Sequence, residues 1–120
     1  MHEYSLFLSL LKTIEDELKP FNNPRVIRAV LLIGEFSGID LDYLKEVIKN
    51  FKAGTPLEDV EIIFEREPLK VFCFSCGKEG SPKEKKACCP FCGSFEVKIT
   101  GGLDLLLKTL EIEDEESPSN

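Results

Sequence analysis

The sequence predicts an α+β fold: a small α/β layer of two helices packed on a three-stranded sheet, with a cysteine-bearing module inserted between the last strands. Three observations carry that expectation. Two segments repeat apolar residues at helical spacing, three others are β-branched or alternating runs, and all five cysteines fall between residues 73 and 92.

The elements follow in order. Tyr4, Phe7, Leu8, Leu11, Ile14 and Leu18 recur at helical spacing with Lys12, Thr13, Glu15 and Asp16 between them, so residues 4–19 read as an amphipathic helix. Pro20 and Asn22-Asn23-Pro24 end it. The apolar run from Val26 to Ile33, interrupted only by Arg28 and closed by Gly34, suits a strand buried in a sheet. Asp40 is placed to cap a second helix over 41–52, whose apolar face is Leu41, Leu44, Val47, Ile48 and Phe51; Gly54 and Pro56 stop it. Asp42 is then a first-turn acid that favours the positive end of the helix dipole. Val60 to Glu65 alternates as a strand does, with Val60, Ile62 and Phe64 on one face and Glu61, Glu65 and Glu67 on a solvated one. Residues 103–112 form a last β-like run. These two strands flank the cysteines, so the cysteine segment is expected between neighbouring strands of one sheet. The acidic stretch 113–120 reads as a disordered tail.

Composition narrows the function. A chain of 120 residues, 42% hydrophobic, holds one compact domain or a small domain with a metal-stapled appendage. Net charge is -7 and the only arginines are Arg25, Arg28 and Arg66, which opposes a nucleic-acid partner for the whole chain. The charge is uneven: residues 70–99 hold six lysines against three glutamates, net +3, leaving -10 on the remainder. No apolar run is long enough to span a membrane, and the first residues lack the basic region and cleavage site of a signal peptide. A cytoplasmic location is expected, and clustered cysteines there read as a metal site before they read as disulfides.

Cys73-Phe-Ser-Cys76-Gly77 and Cys89-Pro-Phe-Cys92-Gly93 are two C-x-x-C-G knuckles twelve residues apart. Each short turn aims two thiolates at one ion, and the following glycine relieves crowding as backbone N–H groups turn toward sulfur. Two such turns complete a tetrahedral, four-thiolate Zn(II) ribbon. No coordination position is left for an activated water, so the metal is structural. The fifth thiol, Cys88, lies beside Lys85 and Lys86 and could take the place of Cys89, but the Cys89-Pro-Phe-Cys92 spacing favours Cys89.

The only histidine, His2, stands directly behind Met1 and ahead of Glu3. The Met1 α-amine and the His2 backbone nitrogen close a five-membered chelate ring on a metal, and that nitrogen with the His2 Nδ1 closes a six-membered one. A nitrogen-rich set of this kind suits Ni(II) or Cu(II). Glu3 or water would fill a fourth position, and a six-coordinate state with intact amides is equally open. His2 is too large for efficient removal of Met1, so the amine persists. Taken alone, the position also fits a solvated histidine that binds nothing.

The terminal Met1-His2-Glu3, the helix that starts at once, a strand ending in Ile33-Gly34-Glu35-Phe36-Ser37-Gly38 and the two-knuckle module together resemble the HypA/HybF family of hydrogenase nickel-insertion proteins, over residues 1–112. That resemblance implies a nickel metallochaperone for maturation of [NiFe]-hydrogenase, not an enzyme. It implies Ni(II) held as cargo through Met1, His2 and Glu3, and structural Zn(II) at Cys73, Cys76, Cys89 and Cys92. The implied partners are a HypB-type nucleotide-hydrolysing protein and the hydrogenase large-subunit precursor, with urease maturation proteins for some relatives; neither nucleic acid nor membrane is implied, and the chain is expected as a monomer or weak homodimer. The domains expected are a nickel-binding part, 1–68 with 100–112, and a zinc ribbon, 69–99. The rivals are a zinc-ribbon module for nucleic acid or protein, favoured by the +3 ribbon with Phe72, Phe74, Phe91 and Phe95, and a thiol enzyme using Cys88 or Cys89, which lacks a base because the only histidine is terminal.

Overall fold

A computed structural model of the chain describes residues 2–83 and 86–114. The element order is α1 (Glu3–Leu18), β1 (Arg25–Gly34), α2 (Leu41–Phe51), β2 (Glu61–Glu67), β3 (Lys70–Cys73), β4 (Glu79–Gly80), β5 (Val97–Gly101) and β6 (Leu105–Glu113). The expected helices and strands are all present, within a residue or two at most ends. Two sheets form, in the orders β2-β1-β6 and β4-β3-β5.

The sheet order corrects one expectation. The strands on either side of the cysteine segment are not neighbours: β1 lies between them. Arg28 reaches Glu61 while the Glu35 N–H donates to the Glu67 carbonyl, so β2 runs parallel to β1; Arg28 also reaches Glu111 while the Gly34 N–H donates to the Asp104 carbonyl, so β6 runs antiparallel. The physical reason is the connection. A helix between two strands makes a crossover that lays them side by side in parallel, and the most apolar strand takes the centre. Arg28, which interrupts that apolar strand, sits 2.7 Å from a carboxylate on each neighbour. Both acids push the guanidinium pKa up: the Glu61 hydrogen bond contributes most, then the charge of Glu111.

By contacts the chain falls into two compact units. One comprises 1–31, 39–64 and 107–120, and the other 32–38 and 65–106. The first is built on Phe7, Leu10 and Ile14 of α1, Val26, Ala29 and Leu31 of β1, and Leu44, Val47 and Ile48 of α2, all buried. The apolar face of α1 is rotated from the one expected: Tyr4 and Leu8 are exposed, and Leu10 and Glu3 are buried in their place. Glu3, Phe7, Leu10 and Ile14 keep the helical repeat, and a carboxylate occupies its first position because the fold supplies it with a partner. Tyr4 instead meets the Phe51 ring edge-on at 5.0 Å between centroids. α2 begins as expected, with the Tyr43 N–H donating to the Asp40 carboxylate at 3.1 Å.

The second unit contains the small sheet, in which β3 pairs antiparallel with both β4 and β5. Strands this short carried no alternation signal in the sequence. Gly102, at φ +92°, lies so close to Leu69 that a Cβ there would stand 2.7 Å from the Leu69 Cα. Glu67, expected on a solvated face, is half-buried, and its Oε1 accepts the Gly102 N–H at 2.9 Å. Only Glu61 and Glu65 of that group are exposed.

Candidate metal sites

The two knuckles close on a single point. β3 ends in Cys73, and the turn after it brings the Cys76 N–H to 3.4 Å from the Cys73 Sγ, while the Gly77 N–H donates to the Cys73 carbonyl at 2.8 Å. The second knuckle repeats the geometry. The Cys92 N–H lies 3.4 Å from the Cys89 Sγ, the Phe91 N–H 3.3 Å, and the Gly93 N–H donates to the Cys89 carbonyl at 2.9 Å. Gly77 and Gly93 share φ +77°, the left-handed conformation that each turn requires. The Ser75 and Ser94 hydroxyls, 3.1 Å apart, tie the turns together.

All four Sγ atoms of Cys73, Cys76, Cys89 and Cys92 lie within 4.8 Å of one another. The Cys73–Cys92 and Cys76–Cys89 separations are both 3.6 Å. A tetrahedral zinc with Zn–S near 2.3 Å needs sulfurs about 3.8 Å apart, whereas a disulfide needs about 2.05 Å. The set therefore fits the metal, and bound Zn(II) would supply a structural cross-link with no open coordination position. Cys88 stands outside the cluster, half-exposed, its N–H donating to the Lys86 carbonyl at 2.8 Å, so the register follows Cys89.

The thiols do not ionise alike. Burial opposes ionisation of Cys89, but the N–H groups of Cys92 and Phe91 and the thiols of Cys76 and Cys92 stabilise its thiolate and lower its pKa to about 6. For Cys92 the Ser94 N–H favours the thiolate, but hydrogen bonding with Cys73, burial and the remaining thiols outweigh it and push the pKa up to about 12. Cys73 is lowered, mainly by the Cys76 N–H. Without metal, one negative charge thus settles first on Cys89. A group lowered to about 6 is still protonated at pH 5 and ionised at pH 7, so zinc loading displaces about one more proton at pH 5 than at pH 7. Titration calorimetry in buffers of different ionisation enthalpy measures that difference, and equal counts at the two pH values contradict it.

At the other end of the chain, Met1 lies outside the described residues. His2 precedes the first residue of α1, its carbonyl accepting the Leu6 N–H at 2.8 Å, while its side chain is exposed and makes no capping hydrogen bond. Glu3 differs in exposure. It is fully buried, and its Oε2 accepts the Asp40 N–H at 3.0 Å. Burial alone would raise its pKa, but the backbone bonds from Asp40 and from its own N–H prevail and hold the carboxyl below its ordinary value. An ionised carboxylate beneath the first turn offsets the positive end of the helix dipole, which would otherwise repel a cation held at His2. The part of Asp40 in this arrangement was not visible in the sequence beyond its capping position: the two residues are 37 apart, and only the fold brings them together. Glu35, next to the end of β1, is engaged by Arg66 at 2.5 Å.

A closed thiolate cluster on a small α+β body, with an exposed imidazole at the start of the chain, defines a metal-binding protein whose ribbon is structural. The chain belongs to the HypA family of hydrogenase/urease nickel-incorporation metallochaperones, whose family model matches residues 1–112. It is 42% identical over 113 residues to the hydrogenase maturation factor HypA of Aquifex aeolicus, covering 94% of this chain and 98% of that protein. It is 30% identical to the HypA of a Shewanella strain, covering 97% and 98% respectively. The solution structure of the Ni metallochaperone HypA from Helicobacter pylori superposes with a TM-score of 0.76 at 28% identity, over 96% of this chain and all of that one.

Proposed function

We propose that this chain carries Ni(II) at its amino terminus and hands it on during maturation of [NiFe]-hydrogenase, with Zn(II) fixed by Cys73, Cys76, Cys89 and Cys92. The Met1 amine and the His2 backbone nitrogen and Nδ1 form the nickel set, with Glu3, another backbone group or water completing it. The observation that carries this reading is the exposed His2 side chain, left out of helix capping at the start of α1. An open set at a chain terminus lets an acceptor add ligands while the donor loses them, so nickel passes without release of the free ion. The ionised Glu3 carboxylate, bonded to the Asp40 N–H, steadies the turn beneath it.

Copper would outcompete nickel at such nitrogen ligands, so selectivity comes from metal supply and from recognition of partners. Those partners are a HypB-type nucleotide-hydrolysing protein and the hydrogenase large-subunit precursor, with urease maturation proteins a further class. The chain performs no catalysis of its own and works in the cytoplasm, a placement compatible with described helices too short and too polar to cross a membrane. The ribbon at 69–99 acts as a metal-stapled domain distinct from the nickel-binding part at 1–68 and 100–112. Extending the amino terminus by one residue removes the amine from the chelate. Nickel retained per chain, measured by elemental analysis after gel filtration, is expected to fall below a tenth of the unextended value, and unchanged retention contradicts the amine ligand.

A further inference from the structure

Between α2 and β2 lies a cavity of about 190 Å³ lined by Lys45, Ile48, Lys49, Lys52, Val60, Ile62 and Phe64. It is smaller than the usual ~300 Å³ and more of a small-molecule site, and of a size for one apolar side chain. Its walls are Ile48, Val60, Ile62 and Phe64. Its rim is three lysines at helical spacing, Lys45 and Lys49 of α2 and Lys52 at its C-cap, and Lys45 holds its Nζ 5.4 Å from the centre of the Phe64 ring. None of the three has an ion-pair partner among the described residues. In a chain of net charge -7, an unneutralised row of lysines over an apolar slot is a local reversal of sign.

The strand beside it adds a second element. β2 is at the edge of its sheet, so one row of its backbone N–H and C=O groups has no strand neighbour among the described residues. A peptide pairing with that edge would turn every second side chain toward α2. Same-side residues of a strand repeat at about 6.6 Å, while Lys45 to Lys49 and Lys49 to Lys52 advance about 6 and 4.5 Å along the helix axis. Carboxylates on the inward-facing positions of such a peptide would follow the lysines, and one apolar residue among them would fill the slot. On the outer face the peptide would meet Glu61 and Glu65, which are exposed and disfavour acids there.

From this geometry we infer that the α2–β2 groove docks an extended acidic segment of a partner protein, with one apolar anchor and its acids on alternate positions. Charge complementarity selects this occupant. A nucleic acid would find an apolar floor with no donors for its bases and only three cations, and a second copy of this acidic chain would bring net repulsion. The docking stands apart from the nickel reading and needs no metal.

The test is fluorescence anisotropy with a fluorescein-labelled eight-residue peptide in which Glu occupies three of the four inward positions, Leu the other, and Thr the rest, added to the intact zinc-loaded chain. Saturable binding is expected, at least tenfold weaker for the Lys45→Glu/Lys49→Glu/Lys52→Glu variant, for a peptide with Lys in place of Glu, and for one with Gly in place of Leu. Amide shifts in the nuclear magnetic resonance spectrum of the labelled protein are expected to concentrate at 45–52 and 60–64. No saturable binding, equal binding by the variant, shifts confined to the ribbon, stronger binding of a single-stranded oligonucleotide at the same lysines, or lysine-dependent self-association in place of peptide binding would each overturn the assignment.

Discussion

Replacing His2 with alanine is expected to abolish stoichiometric nickel binding while leaving zinc at one ion per chain. The substitution removes Nδ1 and with it the six-membered chelate ring, leaving the amine and backbone nitrogens to hold the ion unaided. Because the His2 side chain is exposed and makes no capping bond, nothing in the fold depends on it, and α1 loses no packing. The loss of affinity should exceed a hundredfold, as expected when a principal ligand goes, with an unfolding midpoint that does not move. Calorimetric titration of nickel into both proteins reads the first quantity and thermal denaturation the second. A variant that still takes up one nickel with comparable affinity places the cargo elsewhere.

The second large effect comes from the ribbon. Replacing Cys73 with serine removes a thiolate that is buried at the end of β3 and 3.6 Å from the Cys92 sulfur. Zinc binding at such sites contributes on the order of 10–16 kcal/mol to folding, comparable with the whole stability of a typical domain, ~5–15 kcal/mol. Apart from the cysteines, the described residues of the ribbon bury little more than Leu69 and Val71, a small apolar core to fall back on. Residues 70–99 are expected to unfold while α1, α2 and β1, which bury their own contiguous core, still melt cooperatively. Hydrogen exchange would show this as lost protection in β3 and β5 and retained protection in α1 and α2. A single transition in which all amides lose protection together would show that the metal holds both parts.

How much of this the sequence disclosed depends on the range of the interaction. The knuckles were legible because their spacing is local: C-x-x-C-G encodes a turn whose glycine φ and sulfur contacts need no distant residue, and it distinguished Cys89 from Cys88. Asp40 as a cap was legible for the same reason. The rotated face of α1 was not. A helix with apolar residues at Tyr4, Leu8 and Leu11 as well as Phe7, Leu10 and Ile14 has two competing stripes, and the choice fell to tertiary packing and to the Asp40 N–H that satisfies Glu3. The position of β1 between β2 and β6 depended on the handed crossover through α2, and the lysine groove depended on α2 lying beside β2, so neither could be read along the chain.

The central claim is that cargo metal and structural metal occupy separate ligand sets, nitrogen and oxygen at the amino terminus and sulfur in the ribbon. X-ray absorption at the nickel and zinc edges of the same doubly loaded protein tests it directly. Nickel scattering fitted by nitrogen and oxygen neighbours with an imidazole contribution, beside zinc with four sulfurs near 2.3 Å, is the predicted result. Sulfur in the first shell of nickel would contradict it.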